Sequence, residues 1–233
     1  MTDTAVLLSG GLDSTTALHW ALHGHGSVRA LTFDYGQRHR VEIRMARRTC
    51  RRLGVPLDVL KVDLAAIGGS ALTDPAIPVP SVRRIAHSPS GPPTTYVPFR
   101  NGVFLALAAA WAEAVGVRTI VTGFNVIDSP DYPDTRPAFV RAMERAVNLG
   151  TRAAFGAPRL RIKAPFVDKT KADIVRIGLR LGADYAATVS CYRGGEAPCG
   201  TCSSCRLRAR AFREAGTEDP LVTRMKHRRG GKP

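Results

Sequence analysis

Ala5-Val6-Leu7-Leu8-Ser9-Gly10-Gly11-Leu12-Asp13-Ser14 decides how the rest of the chain is read. An apolar run ends in two glycines and passes into a helix-compatible segment, Thr15 to Leu22, so the stretch predicts a strand, a tight loop and a helix N-terminus. That geometry binds phosphate. Glycines let the backbone approach an anion closely, free N–H groups and the positive end of the helix dipole point at it, and Ser9 and Ser14 add hydroxyl donors. No lysine follows the glycines, so this is not the common Gly-x-x-x-x-Gly-Lys-Ser/Thr loop. The bland alternative is a plain glycine-rich strand-to-helix turn.

The spacing instead resembles the Ser-Gly-Gly-x-Asp-Ser loop of the N-type ATP pyrophosphatases. The resemblance implies that the β,γ-phosphates of ATP are held while the α-phosphorus is attacked by a substrate oxygen, which activates a carboxylate or carbonyl as an adenylate. It assigns Leu8, Ser9, Gly10, Gly11, Leu12, Asp13, Ser14 and Thr15 to the nucleotide, with Asp13 and Ser14 as catalytic candidates.

With 233 residues the chain can bury the core of one sizeable α/β domain with a small appendage. It contains neither a run of about 18 apolar residues nor a charged-then-apolar N-terminal signal, so a cytoplasmic protein is expected. The formal charge of +15 raises a nucleic-acid partner. However, Arg40, Arg44, Arg47, Arg48, Arg51 and Arg52 fall on one side of a helix, opposite Ile43, Ala46, Cys50 and Leu53, as a solvated outer face does. The segment Arg224 to Lys232 adds cations with little apolar content and is expected to stay disordered. Nucleic acid is therefore not the expected partner.

After the loop and its helix (Leu12 to about His23), Val28 to Phe33 reads as a second strand, about Arg40 to Leu53 as a helix and Leu57 to Val62 as a third strand. Strands alternating with helices of this length predict a doubly wound, mostly parallel α/β sheet covered on both faces, with ligands beyond the carboxyl ends of its strands. Asp34-Tyr35-Gly36-Gln37 is then placed near the nucleotide, or Tyr35 merely caps a sheet edge. Gly68 to Pro93 reads as a long loop or lid.

Arg100 and Asn101 precede the apolar helix Gly102 to Val115. Asn101 is a candidate N-cap. Arg100 is a poor choice for the positive end of a helix unless an anion sits there, so both are assigned to an anionic ligand. Arg118 to Thr122 reads as a fourth strand, followed by Gly123 to Arg136, a rigid polar wall in which Asp128 and Asp134 are candidates for Mg²⁺ or for the amino groups of a purine-like ring. A helix (Arg136 to about Leu149), a fifth strand (Leu160 to Ala164) and an amphipathic helix (about Thr170 to Leu181) follow. Lys163, Lys169 and Lys171 are candidates for neutralising the departing pyrophosphate, with Lys171 taken as the catalytic one.

Cys191-x7-Cys199-x2-Cys202-x2-Cys205 gathers four of the five cysteines. Four thiolates with Cys-x2-Cys turns form a closed tetrahedral set, the chemistry of a structural zinc site. An iron–sulfur cluster is the alternative, with no other sign of redox chemistry. The divisions expected are an ATP-pyrophosphatase domain over 1–186, a zinc-binding segment with a docking helix over 187–215 and a basic tail over 216–233.

Ser9 to Ser14, Phe33 to Gln37, Tyr96-Val97-Pro98-Phe99-Arg100-Asn101, Tyr132 to Pro137 and Ser190 to Cys205, in that order, resemble the QueC family, the 7-cyano-7-deazaguanine synthases of queuosine precursor biosynthesis. The likeness runs from Ala5 to about Phe212. It implies an adenine nucleotide alpha hydrolase-like fold, a homodimer, ATP and Mg²⁺ as reactants, and zinc held by Cys191, Cys199, Cys202 and Cys205. The implied reaction is ATP-dependent conversion of 7-carboxy-7-deazaguanine and ammonia to a nitrile through an adenylated carboxylate and an amide. Arg100 is assigned to the substrate carboxylate, and Tyr35, Gln37, Asn101, Asp128, Tyr132 and Asp134 to substrate binding. Family members often carry Gly before Tyr-Pro-Asp and Cys after it, where this chain has Asp131 and Thr135. That departure, with the arginine stripe, keeps open a second reading, in which a macromolecule such as a tRNA base or a protein is adenylated. A non-enzymatic zinc module is a third.

Overall fold

The computed structural model describes residues 4–24, 26–82, 91–128 and 130–230. Five parallel strands, β1 (Thr4–Leu7), β2 (Val28–Asp34), β3 (Leu57–Lys61), β4 (Thr119–Val121) and β5 (Arg161–Lys163), form one sheet in the order β3-β2-β1-β4-β5. Ala5 stands opposite Arg29 on one side and Ile120 on the other, and Ile120 opposite Ile162. The order reverses at β1, so a crevice opens beyond the carboxyl ends of β1 and β4, where such sheets bind ligands.

Side chains alternate along each strand, and the two faces bury different helices. Val6, Ala30 and Val121 pack with α1 (Leu12–Gly24), α2 (Val41–Leu53), α5 (Lys171–Arg180) and α6 (Ser203–Glu214) through Leu18, Ala46, Ile174 and Phe212. Ala5, Leu31 and Ile120 pack with α3 (Arg100–Val115) and α4 (Pro137–Leu149) through Leu105, Ala109 and Val140. A parallel sheet covered on both faces is the doubly wound α/β class expected from the sequence. The α2 arginines at 40, 44, 47, 48, 51 and 52 are all exposed, while Ile43, Ala46 and Cys50 are buried, as the helical period requires.

Two details depart from the sequence reading. α3 begins at Arg100, so Asn101 lies inside its first turn and is not the cap; Phe99 occupies that position at φ 52° with no side-chain cap. The turn is tight because the Phe99 ring folds over Gly102, where a Cβ would lie 2.4 Å from ring atoms. The basic C-terminal segment, expected to be disordered, contains α7 (Pro220–Gly230). Its order comes from outside itself: Leu221 is 1% exposed, and Asp219 just before the helix takes a two-pronged bond from Arg208 at 2.6 and 2.8 Å. Of the 68–93 loop, residues 83–90 lie outside the described residues, as do 231–233 of the tail. Among the described residues no helix is long and apolar enough to cross a membrane.

Candidate active site and metal centre

The loop between β1 and α1 is knitted by its own hydroxyls. The Ser9 and Ser14 Oγ atoms are 3.0 Å apart, the Gly11 N–H donates to Ser9 Oγ at 3.2 Å, and Ser14 Oγ donates to the Gly11 carbonyl at 3.2 Å. Gly10 sits at φ +87°, and a Cβ there would lie 2.2 Å from the Glu42 carbonyl oxygen, so only glycine lets the loop nest on α2. The Val189 N–H donates to the Gly10 carbonyl at 3.2 Å and ties the loop to the C-terminal segment. The loop faces a cleft of about 270 Å³ at the carboxyl edge of the sheet. Leu8, Ser9, Gly11, Leu12, Asp13 and Ser14 line it; Gly10 and Thr15 lie behind, with Thr15 fully buried.

Lys171, the first residue of α5, reaches across this cleft to Asp13, with Nζ 2.5 Å from Oδ2. Asp13 Oδ1 is buried with no partner. An ammonium at this place has the charge to neutralise an anion at the loop. Lys163 lies on β5 with Nζ over the Trp20 ring at 5.9 Å, and Lys169 pairs with Asp168. Of the three lysines, only Lys171 lines the cleft.

The opposite wall carries Arg100. Its Nη1 donates to Tyr35 OH at 3.3 Å, and its guanidinium lies 5.8 Å from the ring centroids of both Tyr35 and Phe104. Burial works against its charge, but the phenol oxygens of Tyr35, Tyr192 and Tyr132 outweigh that cost and raise its pKa. Nε is buried and unpartnered, and among the described residues no carboxylate pairs with Arg100. A buried, permanently charged fork without an acidic partner has the chemistry to accept an anion.

Tyr35, Gln37, Asn101 and Tyr132 line the cleft as the sequence suggested, but their polar groups are used in different ways. Gln37 spends its amide on its own loop, accepting from Tyr35 N–H at 2.8 Å and donating to the Phe33 carbonyl at 3.0 Å. Tyr132 OH sits 3.0 Å from Thr95 Oγ1. Burial raises the Tyr35 pKa, and the neighbouring Tyr132 raises that of Tyr192, so both phenols stay neutral donors.

The two aspartates stand elsewhere. Asp134, 3% exposed, accepts from the Asn101 N–H at 2.9 Å and from its amide at 3.2 Å, capping α3 from another part of the chain. Asp128 accepts from the Lys171 N–H and from Arg210. Neither lines the cleft, and each of their carboxylate oxygens accepts from a protein donor.

Sequence reasoning missed His39, Glu42 and Tyr192. His39 Nε2 lies 3.3 Å from Glu42 Oε2 and 3.4 Å from Tyr35 OH, and the Tyr192 ring stands 6.0 Å from the imidazole. All three line the cleft. Their signal was positional: Tyr35 and His39 are four residues apart in the loop that ends at α2, and Tyr192 adjoins Cys191.

The four C-terminal sulfurs lie within 4.8 Å of one another, with Cys199 and Cys205 Sγ 3.9 Å apart. The edge of a tetrahedron with ~2.3 Å zinc–sulfur bonds is about 3.8 Å, so the set fits zinc. Thiol hydrogen bonds from Cys202 and Cys205 pull Cys191 well below the usual thiol range, and those shared with Cys191 and Cys202 push Cys205 up. Four crowded sulfurs cannot all ionise without a cation among them. Cys50, the fifth, lies apart in the core.

The QueC family model, described as "Queuosine biosynthesis protein QueC", matches residues 3–216. The chain belongs to the QueC family. Among relatives, the 7-cyano-7-deazaguanine synthase of Azotobacter vinelandii is 52% identical over 219 residues, covering 92% of this chain and 95% of that one. The enzyme of the same name from Thermoplasma acidophilum is 50% identical over 216 residues, covering 93% and 90%. That from Methylococcus capsulatus is 48% identical over 223 residues, covering 94% and 98%. The QueC match spans both the cleft residues and the four clustered cysteines. Thr135 lines the cleft and its hydroxyl donates to the Tyr132 carbonyl at 2.8 Å.

Proposed function

We propose that this QueC-family chain is an ATP-dependent carbon–nitrogen ligase of queuosine precursor biosynthesis, converting 7-carboxy-7-deazaguanine and ammonia to 7-cyano-7-deazaguanine. The names of its relatives support this reading. The observation that carries it is the buried Arg100 guanidinium, paired with no carboxylate among the described residues and with Nε unpartnered, across the cleft from the loop at residues 9–14.

Arg100 orients the substrate carboxylate so that one oxygen attacks the α-phosphorus of ATP and pyrophosphate leaves. The loop backbone from Ser9 to Ser14 and Lys171 stabilise that leaving charge, with Asp13 holding the lysine in place. Mg²⁺ would supply further charge neutralisation on the phosphates. Ammonia attacks the acyl carbon and displaces AMP to give the amide. Adenylation of the amide oxygen, followed by loss of AMP and of the two nitrogen protons, leaves the nitrile. Tyr35, Asn101, Tyr132 and Gln37 form the walls around the ring and keep water from the adenylate. Cys191, Cys199, Cys202 and Cys205 would hold zinc as a scaffold for residues 187–215.

The reading includes cytoplasmic localisation and a homodimer. Leu149 and Phe155, 79% and 94% exposed, are apolar surface that a second copy would cover. Mass spectrometry of the acid incubated with enzyme, MgATP and ammonium tests the function, beside Asp13→Ala and Ser14→Ala. Amide and nitrile masses that vanish in the controls support it. Bound nucleotide with no acid consumed overturns it.

A further inference from the structure

Asp128 is placed where it touches three other parts of the protein. Its backbone N–H donates to Asn125 Oδ1 at 3.1 Å, and Asn125 in turn donates its amide to the Lys169 carbonyl. One carboxylate oxygen accepts from the Lys171 N–H, the first free donor of α5, and the other accepts from the Arg210 guanidinium on α6. The Asp128 side chain is 10% exposed and that of Arg210 34%. Lys171, its side chain 15% exposed, then turns its ammonium to Asp13 in the phosphate loop. α6 itself begins between Cys202 and Cys205.

A continuous path of charge-assisted bonds thus runs from the cysteine-anchored helix to the phosphate loop: Arg210, Asp128, Lys171, Asp13. We propose that Arg210 and Asp128 are positioning residues that set the reach of Lys171 over the leaving pyrophosphate, so that the C-terminal segment fixes the geometry of the chemical step. Asp128 holds the backbone of Lys171 at the start of α5, and Arg210 fixes Asp128 by taking its second oxygen. An aspartate free of Arg210 rotates, and the lysine stem is released from one of its two anchors. A displacement of about 1 Å at such a group is worth up to ~100-fold in rate. The chemistry this serves is the reaction proposed above, on which the inference rests.

The test uses the full chain with Arg210→Ala, Arg210→Lys, Asp128→Asn and the double variant Asp128→Asn/Arg210→Ala, with Arg213→Ala, an exposed residue of the same helix, as control. Zinc content and melting temperature are recorded for each. Expected are a fall in kcat of at least about tenfold for Arg210→Ala and Asp128→Asn, and KM for the acid within about twofold of the parent. Recovery by Arg210→Lys to within about threefold is expected, with a double variant no slower than the slower single one. Arg210→Ala turning over within about twofold of the parent overturns the proposal. So do multiplicative losses in the double variant, or a KM for the acid that rises as much as kcat falls. If Arg210→Ala melts early, Arg210→Lys and Asp128→Asn decide on the same criteria. Affinity for α,β-methylene-ATP, measured without the acid, separates the two levels of argument: a parent enzyme that binds the analogue but is inert on the acid refutes the reaction, whereas single variants that lose turnover only in proportion to lost analogue affinity refute the positioning path.

Discussion

Asp134 spends both carboxylate oxygens on Asn101, one on its backbone N–H at 2.9 Å and one on its side-chain amide at 3.2 Å. The neighbour of Asn101 is Arg100, so the aspartate that caps α3 also fixes the backbone from which the guanidinium projects. Asp134→Ala leaves two buried donors unpaired, at a cost of about 1–3 kcal/mol. The expected result is a lowered denaturation midpoint together with a raised KM for the acid; an unchanged KM in a destabilised variant would confine Asp134 to folding.

Arg100→Ala should weaken binding of the acid by about 10- to 100-fold while leaving nucleotide affinity unchanged, because a charge-assisted bond to a carboxylate contributes about 1.5–3 kcal/mol. Arg100→Lys should recover little of this, since an ammonium cannot offer the planar fork. Separate titrations of acid and nucleotide check both statements.

The cysteine set should carry one zinc per chain by elemental analysis. Cys202→Ser, at a fully buried ligand position, should lose the metal and lower the melting temperature by more than about 5 °C. Cys50→Ala, in the core away from the cluster, should retain zinc.

His19 makes stability depend on pH. Its Nδ1–H donates to the Leu181 carbonyl at 3.0 Å, and Nε2 is buried without a partner. Burial lowers its pKa below the ordinary 6.5, so the folded protein takes up the proton less readily than the unfolded chain. The associated stability is fully present above 6.5 and is lost as pH falls below it. Denaturant midpoints at pH 7.5, 6.5 and 5.5 should fall towards acid, and His19→Gln should flatten the part of that slope due to this residue.

Periodic patterns were legible in the sequence. The arginines of α2 fall outward because a 3.6-residue period leaves them no other side, and four cysteines at short spacings converge because Cys-x2-Cys turns force them to. The loop at residues 9–14 was legible from its paired glycines between strand and helix, and Arg100 from its place at the positive end of a helix. What was not legible was occupancy. Asp128 and Asp134 looked available to a ligand because nothing in their neighbourhood of sequence shows that Arg210, 82 residues away, or Asn101, 33 residues away, would take their oxygens. Asn101 read as a cap by residue type, whereas the cap came from a distant aspartate. α7 escaped because its own sequence is weakly amphipathic and its anchor, Arg208, belongs to another helix.

The bond from Val189 N–H to the Gly10 carbonyl also has a temporal meaning. Residues 9–14 leave the ribosome long before residue 189, so the part of the molecule that is made first acquires its final shape only when nearly the whole polypeptide has been synthesised. A nascent or prematurely terminated product that ends before residue 189 lacks that clasp.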